Sequence, residues 1–424
     1  MEYWNIEDPD VRGVGANLCH SFFQSIPTSR RLETELLVCC ARTHLDPEIT
    51  KQIHSLSQRG IDWEYLVQAA ARHRVMPLLC RSLEKTCAQA VPEKVMERLH
   101  ADFRFNTRRN LSFSGKLLKL LKHLKEGNIP AIPFKGPALT EYVYGDLSLR
   151  QFNDLDILVR KRDAFSARNL LISRGYRPEI QLNDSQYKAF VKTKNSTPFI
   201  SNDGRTAVDL HWEMTGRYSL LPFDFETLEN RVVHASLAGK QVEHISPEDL
   251  LLYLCHHGAL HCWIQLEMIC SVAELLCSHA DMDWRRIQNL VTELRCERIL
   301  FLGLFLAHDL LGAPLPDHIL GRVEADPKVQ KLAMALYKNL FLKDGGSPKN
   351  EINPKFSFFH LQVRERFSEK IRYALHLATN PTKEDWRLLS LPAFLSALHY
   401  VYRPLRLATG FGGVLLRRCL VKLN

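Results

Sequence analysis

Several things are missing from this 424-residue sequence, and each absence removes a class of protein. The longest apolar run, Ile299 to Ala307, ends at His308 and Asp309, whereas a bilayer-spanning helix needs about 20 such residues. The first residues, Met1-Glu-Tyr-Trp-Asn-Ile-Glu-Asp8, are acidic and lack the basic stretch and apolar run of a secretory signal, so none is expected. No Cys-x-x-Cys pair occurs among the eleven cysteines, which argues against a structural zinc site. Their odd number, and the placing of Cys39, Cys40, Cys255, Cys270 and Cys277 in helix-like stretches, suit buried thiols in a reducing cytoplasm better than a disulfide framework. Basic and aromatic residues do not interleave as they do in a nucleic-acid groove, so no specific nucleic acid is expected as a partner. No Asp or Glu follows Asp385, while Arg387, Arg403, Arg406, Arg417, Arg418 and Lys422 do. The stretch Val414 to Lys422 reads first as the solvated face of a packed helix, and second as a weak contact for an anionic surface.

What is present is an ordinary globular balance. Hydrophobic residues make up 46% and charged residues 24%, which supports a sizeable core and excludes disorder or low complexity. The net charge of +9 favours anionic partners without demanding nucleic acid. The length exceeds one ordinary domain.

Apolar spacing divides the chain. Residues 1–127 read as a helical region: Leu32, Leu36, Leu37 and Cys40 recur at helical steps, Leu66 to Leu79 reads as one run, and Val95 to Phe103 and Leu111 to Leu124 as two more. Residues 128–245 change character. Ile129-Pro-Ala-Ile-Pro-Phe134 cannot continue a helix. Leu155 to Val159 is a short strand, and Asp163 is placed to cap the helix that Gly175 ends. Pro198 to Ser201 and Thr206 to Trp212 form a hairpin around Asn202-Asp-Gly204. Residues 246–342 return to helix, with Leu250 to His261, Ile264 to Cys277 and Trp284 to Leu311 as amphipathic runs. Ser246 and Asp249 resemble a capping box, and Asp62, Asp283 and Asp385, each before a Trp, look like N-caps. Residues 343–354 are a flexible loop and 355–424 a last helical region. The fold class expected is α+β, a small mixed-sheet core flanked by N- and C-terminal helical regions and mostly α overall.

The chemistry concentrates between Lys135 and His211. Asp154 and Asp156 are two apart at the start of a strand, so both project from the same face. Carboxylates that close repel each other unless a cation lies between them, and their oxygens suit a hard divalent ion such as Mg²⁺ (or Mn²⁺). Asp209 lies in the later strand. If that strand pairs beside the first, three carboxylates could hold two metals for in-line phosphoryl chemistry. An Asp-x-Asp alone more often marks a solvated strand end. Here Leu155 and Ile157 alternate with the acids, and a Lys135-Gly136 turn 19 residues before Asp154 offers a phosphate cradle at a helix start. Arg150, four residues before Asp154, suits phosphate oxygens; a salt bridge to Asp154 or Asp156 is the plainer role.

Lys135-Gly136, Arg150, Asp154-x-Asp156 and Val208-Asp209-Leu-His211-Trp212 resemble the uncharacterised bacterial nucleotidyltransferases of the DNA polymerase beta superfamily, whose relatives include the aminoglycoside and minimal nucleotidyltransferases. The resemblance extends to Trp63–Leu79, to His257-Gly-Ala-Leu-His261-Cys-Trp263 and to Asp283-Trp284, and so covers most of the chain. It implies a core sheet carrying the Gly turn, an Asp-x-Asp that ligates metal and triphosphate, and a third Asp that helps activate the acceptor hydroxyl. The usual Gly-Ser of the turn is Gly136-Pro137 here, so phosphate binding would rest on backbone N–H groups and Lys135. The Asp that members often carry in the helix after the His-Gly motif is absent around Ser271.

The expected activity is therefore transfer of a nucleoside monophosphate from an NTP to an unidentified acceptor in the cytoplasm, with release of pyrophosphate. The alternative is an inactive nucleotide-binding, regulatory or interaction protein on the same fold. His211 shares the face of Asp209 and could position a reacting group, with a capped strand end as the plain alternative. His257 and His261 are one helical turn apart with no third ligand evident; packing comes first and nucleotide contact second.

Overall fold

The structure, a computed structural model, describes residues 16–215, 221, 223–342 and 354–379, together with 398, 400, 402–404 and 406. The expected loop at 343–353, the Asp385 cap and the basic stretch Val414 to Lys422 lie outside the described residues. The fold is α+β, mostly helical with a small mixed sheet. The chain divides into two compact units that interleave in sequence. One comprises Met1–Lys116, Gly136–Phe152 and Val233–Val363, the other Leu117–Lys135, Asn153–Val232 and Arg364–Asn424. The segment 128–245 contributes to both, so no single cut separates them.

The sheet unit holds five strands: β1 (Ala131–Pro133), β2 (Asp154–Val159), β3 (Tyr176–Pro178), β4 (Ser196–Ser201) and β5 (Ala207–His211). Their order is β1-β2-β5-β4-β3, with β2 and β5 parallel and the other pairs antiparallel. Proline denies the ladder one N–H, and β1 with Pro133 accordingly lies at an edge. β4 and β5 form the expected hairpin, and Gly204 takes φ +71, which glycine adopts without steric cost. Trp212, Tyr187, Phe190 and Ala164 build the core beside it. Asp163 does not cap as expected. Its backbone is already helical, at φ −92 and ψ −6, because a 3₁₀ turn (Lys161–Asp163) leads straight into helix Ala164–Ser173.

The helical unit keeps the other caps. Asp62 accepts from the Tyr65 N–H, Asp283 from the Arg286 N–H and Ser246 from the Asp249 N–H. Its helices break where periodicity alone gave no sign. The run Leu66 to Leu79 is two helices, Trp63–Arg72 and Met76–Cys87, with Arg74 at φ 57 between them. Trp284 to Leu311 is likewise split at Arg295, also at φ 57, into Trp284–Leu294 and Glu297–Leu311. Conversely, the two runs after Pro92 are one helix, Glu93–Glu126. A β6–β7 hairpin (Val233–Leu237, Lys240–His244) also belongs to this unit.

The His-Gly motif has a packing role. A Cβ at Gly258 would meet the Trp263 ring at 2.5 Å, and one at Gly303 would meet Cys255 Sγ at 2.5 Å and Trp263 at 3.2 Å. Trp263 is fully buried in that slot. His257 stacks on Tyr253, with ring centroids 5.7 Å apart, and His261 lies 4.5 Å from His257.

Candidate active site

The site is assembled by strand register. Parallel pairing of β2 with β5 sets Asp156 opposite Asp209, and Leu158 opposite His211. Period two then puts His211 on the same face as Asp209. His211 Nε2 lies 3.2 Å from Asp156 Oδ1 and 3.4 Å from Asp209 Oδ2. Lys135, immediately after β1, brings its ammonium to 3.7 Å from Asp156 Oδ1. Phe134 meets His211 edge to face with ring centroids 5.1 Å apart, which fixes the plane of the imidazole.

The electrostatics follow from this packing. Asp156 is 3% exposed, so the acidic face of β2 is buried at Asp156 and open at Asp154. Burial opposes its charge, but the Lys135 ammonium and then the His211 hydrogen bond outweigh it and hold the carboxyl below its usual range. His211 is opposed by burial too, yet Asp209 and then Asp156 raise it to about 9. The repulsion expected between neighbouring carboxylates is thus met by two cations of the chain itself. Asp156, Asp209 and His211 each offer a ligand atom within 4.8 Å of the others, so the cluster could hold a divalent metal ion. Among the described residues Asp156 Oδ2 is buried without a hydrogen-bond partner, an oxygen suited to a cation.

The remaining candidates are placed differently. Asp154 opens β2 on the same face as Asp156, is exposed, and lies outside that three-residue cluster. Gly136 begins helix Gly136–Tyr144 at φ 56, in the turn that follows Lys135. Arg150 belongs to the helical unit, where its Nε lies 2.5 Å from Glu267 Oε1. Ser271 hydrogen-bonds to Glu267 at 2.9 Å and to the Tyr144 hydroxyl at 3.0 Å. Glu267 lies on the same helix, one turn before Ser271. Asn110 donates to the carbonyls of Leu147 and Arg150 at 2.6 and 2.8 Å and holds the loop backbone. Sequence spacing missed Glu267, Ser271 and Asn110; hydrogen-bonding residues within a helical run were the only trace.

A sequence model for a family described as "Uncharacterised nucleotidyltransferase" matches residues 59–312, more than half of the chain. No curated protein matches the sequence. Among solved structures, an antibiotic-resistance factor, ANT(2'')-Ia, is 14% identical, with 44% of this chain and 94% of that one covered and a TM-score of 0.32. An antigenic nucleotidyltransferase-like protein from Paracoccidioides brasiliensis is 16% identical over 50% of this chain and 96% of its own, with a TM-score of 0.28. Those two scores are too low to carry weight, whereas the sequence match spans β1 to β7 and every candidate residue from Lys135 to His261. The chain belongs to the uncharacterised nucleotidyltransferase family.

Proposed function

We propose that this protein is a metal-dependent nucleotidyltransferase that moves a nucleoside monophosphate from an NTP to an acceptor hydroxyl and releases pyrophosphate. The observation that carries this reading is the register of Asp156 against Asp209, with His211 between them and Asp156 Oδ2 without a partner among the described residues. The two carboxylates suit a divalent cation such as Mg²⁺ or Mn²⁺, and His211 Nε2 would join them only on losing the proton it shares with them. Bound there, the ion would neutralise charge growing on the phosphate oxygens during in-line transfer.

The chain's own residues have distinct tasks in this reading. Asp156 and Asp209 hold the ion, and Asp154, exposed on the same face, joins them when nucleotide brings its triphosphate. Lys135 is a point charge for the phosphates, and the Gly136 turn offers backbone N–H groups. The sequence reading also gives Arg150 to the phosphates; within the helical unit its guanidinium is held by Glu267. Asp209 has a side chain 25% exposed, so an acceptor can reach it. It takes the acceptor's proton as the acceptor oxygen bonds to the α-phosphorus and the bond to pyrophosphate breaks. His211 orients both carboxylates. The ten described cysteines are all free, which supports a reducing compartment such as the cytoplasm.

The experiment is pyrophosphate release from labelled NTPs in the presence of cell extract, run beside calorimetry with NTP and Mg²⁺ or Mn²⁺. Label transfer dependent on Asp209 supports the enzyme. Binding without release from any acceptor pool would replace it with a nucleotide-binding regulator, and no binding at all would remove both.

A further inference from the structure

Helix Phe367–Thr379 of the sheet unit carries its apolar residues on the outside. Phe367, Ile371 and Leu375 recur every four residues, so they line one face of the helix. They are 76%, 45% and 60% exposed, and Ala374 on the same face is exposed too. The opposite face carries Glu369, Tyr373 and His376, and it is half-buried. Helix Pro327–Phe341 shows the usual arrangement: its apolar Val329, Leu332, Leu336 and Leu340 are all buried. A surface helix ordinarily turns its apolar stripe to the core. A contiguous stripe left outside marks contact with another molecule or with a membrane.

The charges beside the stripe decide between these. Arg366 and Lys370 flank it on one side and Arg372 on the other. Among the described residues none of the three is in an ion pair. The one carboxylate of the helix, Glu369, lies on the far face and accepts from the Arg366 N–H at 3.4 Å. Arg364, just before the helix, is stacked over the Tyr373 ring at 3.8 Å. A second copy docked on this face about a twofold axis would set Arg366, Lys370 and Arg372 against the same residues of its mate, and like charges across an interface are costly. An apolar stripe about 20 Å long with cations along both rims suits an anionic headgroup layer over hydrocarbon. The whole chain has the same sign, with a net charge of +9 and no acid after Asp385. At 13 residues the helix is too short to span a bilayer, so the contact is peripheral.

We propose that helix Phe367–Thr379 docks the protein on anionic membrane surfaces. It lies in the plane of the interface, with Phe367, Ile371 and Leu375 among the acyl chains and Arg366, Lys370 and Arg372 on lipid phosphates. The inference does not depend on nucleotidyl transfer, and its test reads binding alone.

The test is sedimentation of the full chain with vesicles of phosphatidylcholine alone and of phosphatidylcholine with about one-third phosphatidylserine, at about 0.1 M and about 1 M salt. At the lower salt the anionic vesicles should bind at least about tenfold more tightly than the neutral ones, and the preference should shrink at the higher salt. The triple variant Phe367→Ser, Ile371→Ser, Leu375→Ser should lose at least about tenfold on anionic vesicles, because the apolar area it would bury is gone. Its altered side chains are exposed, so the fold should survive, which circular dichroism checks. Arg366→Gln with Arg372→Gln should lose about tenfold or more on anionic vesicles and change little on neutral ones. No binding of the wild-type chain to anionic vesicles overturns the proposal, and so does equal binding to both kinds. Unchanged binding by the triple variant overturns it too, since the net charge of the chain would then suffice. A wild-type dimer that becomes a monomer in the triple variant, read by sedimentation without vesicles, would give the stripe to a second copy and overturn it as well.

Discussion

The two units bury histidine on opposite terms. In the helical unit His73 and His244 are 2% and 0% exposed, and in the sheet unit His211 is 6% exposed. Burial alone favours the neutral ring, and it takes His73 and His244 down to about 4. Their hydrogen bonds are with backbone: the Leu266 N–H donates to His73 Nδ1 at 3.4 Å, and His244 Nδ1 lies 2.9 Å from the Ile245 carbonyl. His211 suffers the same desolvation yet is raised to about 9, because the β2–β5 register sets Asp209 and Asp156 against it. Depth of burial is therefore not what decides protonation in this protein; the presence of two aligned carboxylates is. A buried charge cluster is weak evidence for stability, since apolar replacement is often no worse. Its presence on the sheet, while the helical pair meets backbone groups and the rings of Phe341 and Tyr142 but no carboxylate, is what one expects if the sheet carries the chemistry.

The largest effect should come from breaking the cluster at its deepest member. Two adjacent carboxylates suggest, from sequence alone, that Asp156→Ala relieves repulsion and leaves the metal-free protein as stable or more so. The structure reverses that sign. Lys135 and His211 would be left buried without their shared counter-charge, and breaking a buried pair costs roughly 3–5 kcal/mol. Denaturant melts of the metal-free protein should show that loss, and transfer should disappear. A melting point at or above wild type would mean that His211 is not held as a cation.

Next comes Asp209→Asn, which keeps size and removes charge. If Asp209 takes the acceptor's proton, turnover should fall on the order of 10²–10⁴-fold. NTP affinity, measured by calorimetry, should stay within about tenfold. In the metal-free protein the His211 titration, followed by NMR of the ring, should move downward, because its largest raising influence is gone. A variant that loses NTP binding and turnover equally would assign Asp209 to binding instead.

A smaller effect, on pH, separates the two units without mutation. His211 is raised in the folded state, so its stabilisation is complete below the unfolded value near 6.5 and is lost as pH climbs through about 9. His73 and His244 are lowered, so theirs is present above 6.5 and is lost as pH falls through about 4. Amide exchange, corrected for intrinsic rates, should show β2 and β5 loosening towards pH 9. Helices Trp63–Arg72 and Pro247–Leu260, which flank His73 and His244, should loosen towards pH 4. One pH dependence shared by both units would erase the comparison.

How much of this is legible in the sequence depends on how local its cause is. Period two along β2 and β5 puts Asp154 with Asp156 and Asp209 with His211, and the alternating apolar residues mark both strands. Strand adjacency supplies the rest of the cluster, and the family resemblance pointed to it. The cation that neutralises Asp156 was not legible: Lys135 reads as a phosphate ligand by its Gly turn, and only the β1–β2 pairing brings it to the carboxylate. Nor were the left-handed residues Arg74 and Arg295, since an Arg at φ 57 is imposed by the packing of flanking helices and has no sequence signature of its own. The Glu267 carboxylate beside Arg150 was not legible either, because it lies 117 positions away.

The smallest expected effect is His73→Gln, and it tests the neutral half of the comparison most directly. The ring lies 5.7 Å from Phe341 and takes one long hydrogen bond from Leu266, so an uncharged side chain of similar reach can keep most of what it does. At pH 7 the cost should be about 1 kcal/mol, the typical worth of one hydrogen bond. Below pH 6.5 the variant has no ring to protonate on unfolding, while His244 remains. Its stability should therefore fall less steeply than wild type towards pH 4, with part of the histidine-driven slope removed and the rest left to His244, His279 and His376. Denaturant melts at pH 7, 6, 5 and 4 would read both numbers. An acid limb unchanged by the substitution would show that His73 is already protonated when folded, and burial would then have failed to decide even where no carboxylate opposes it.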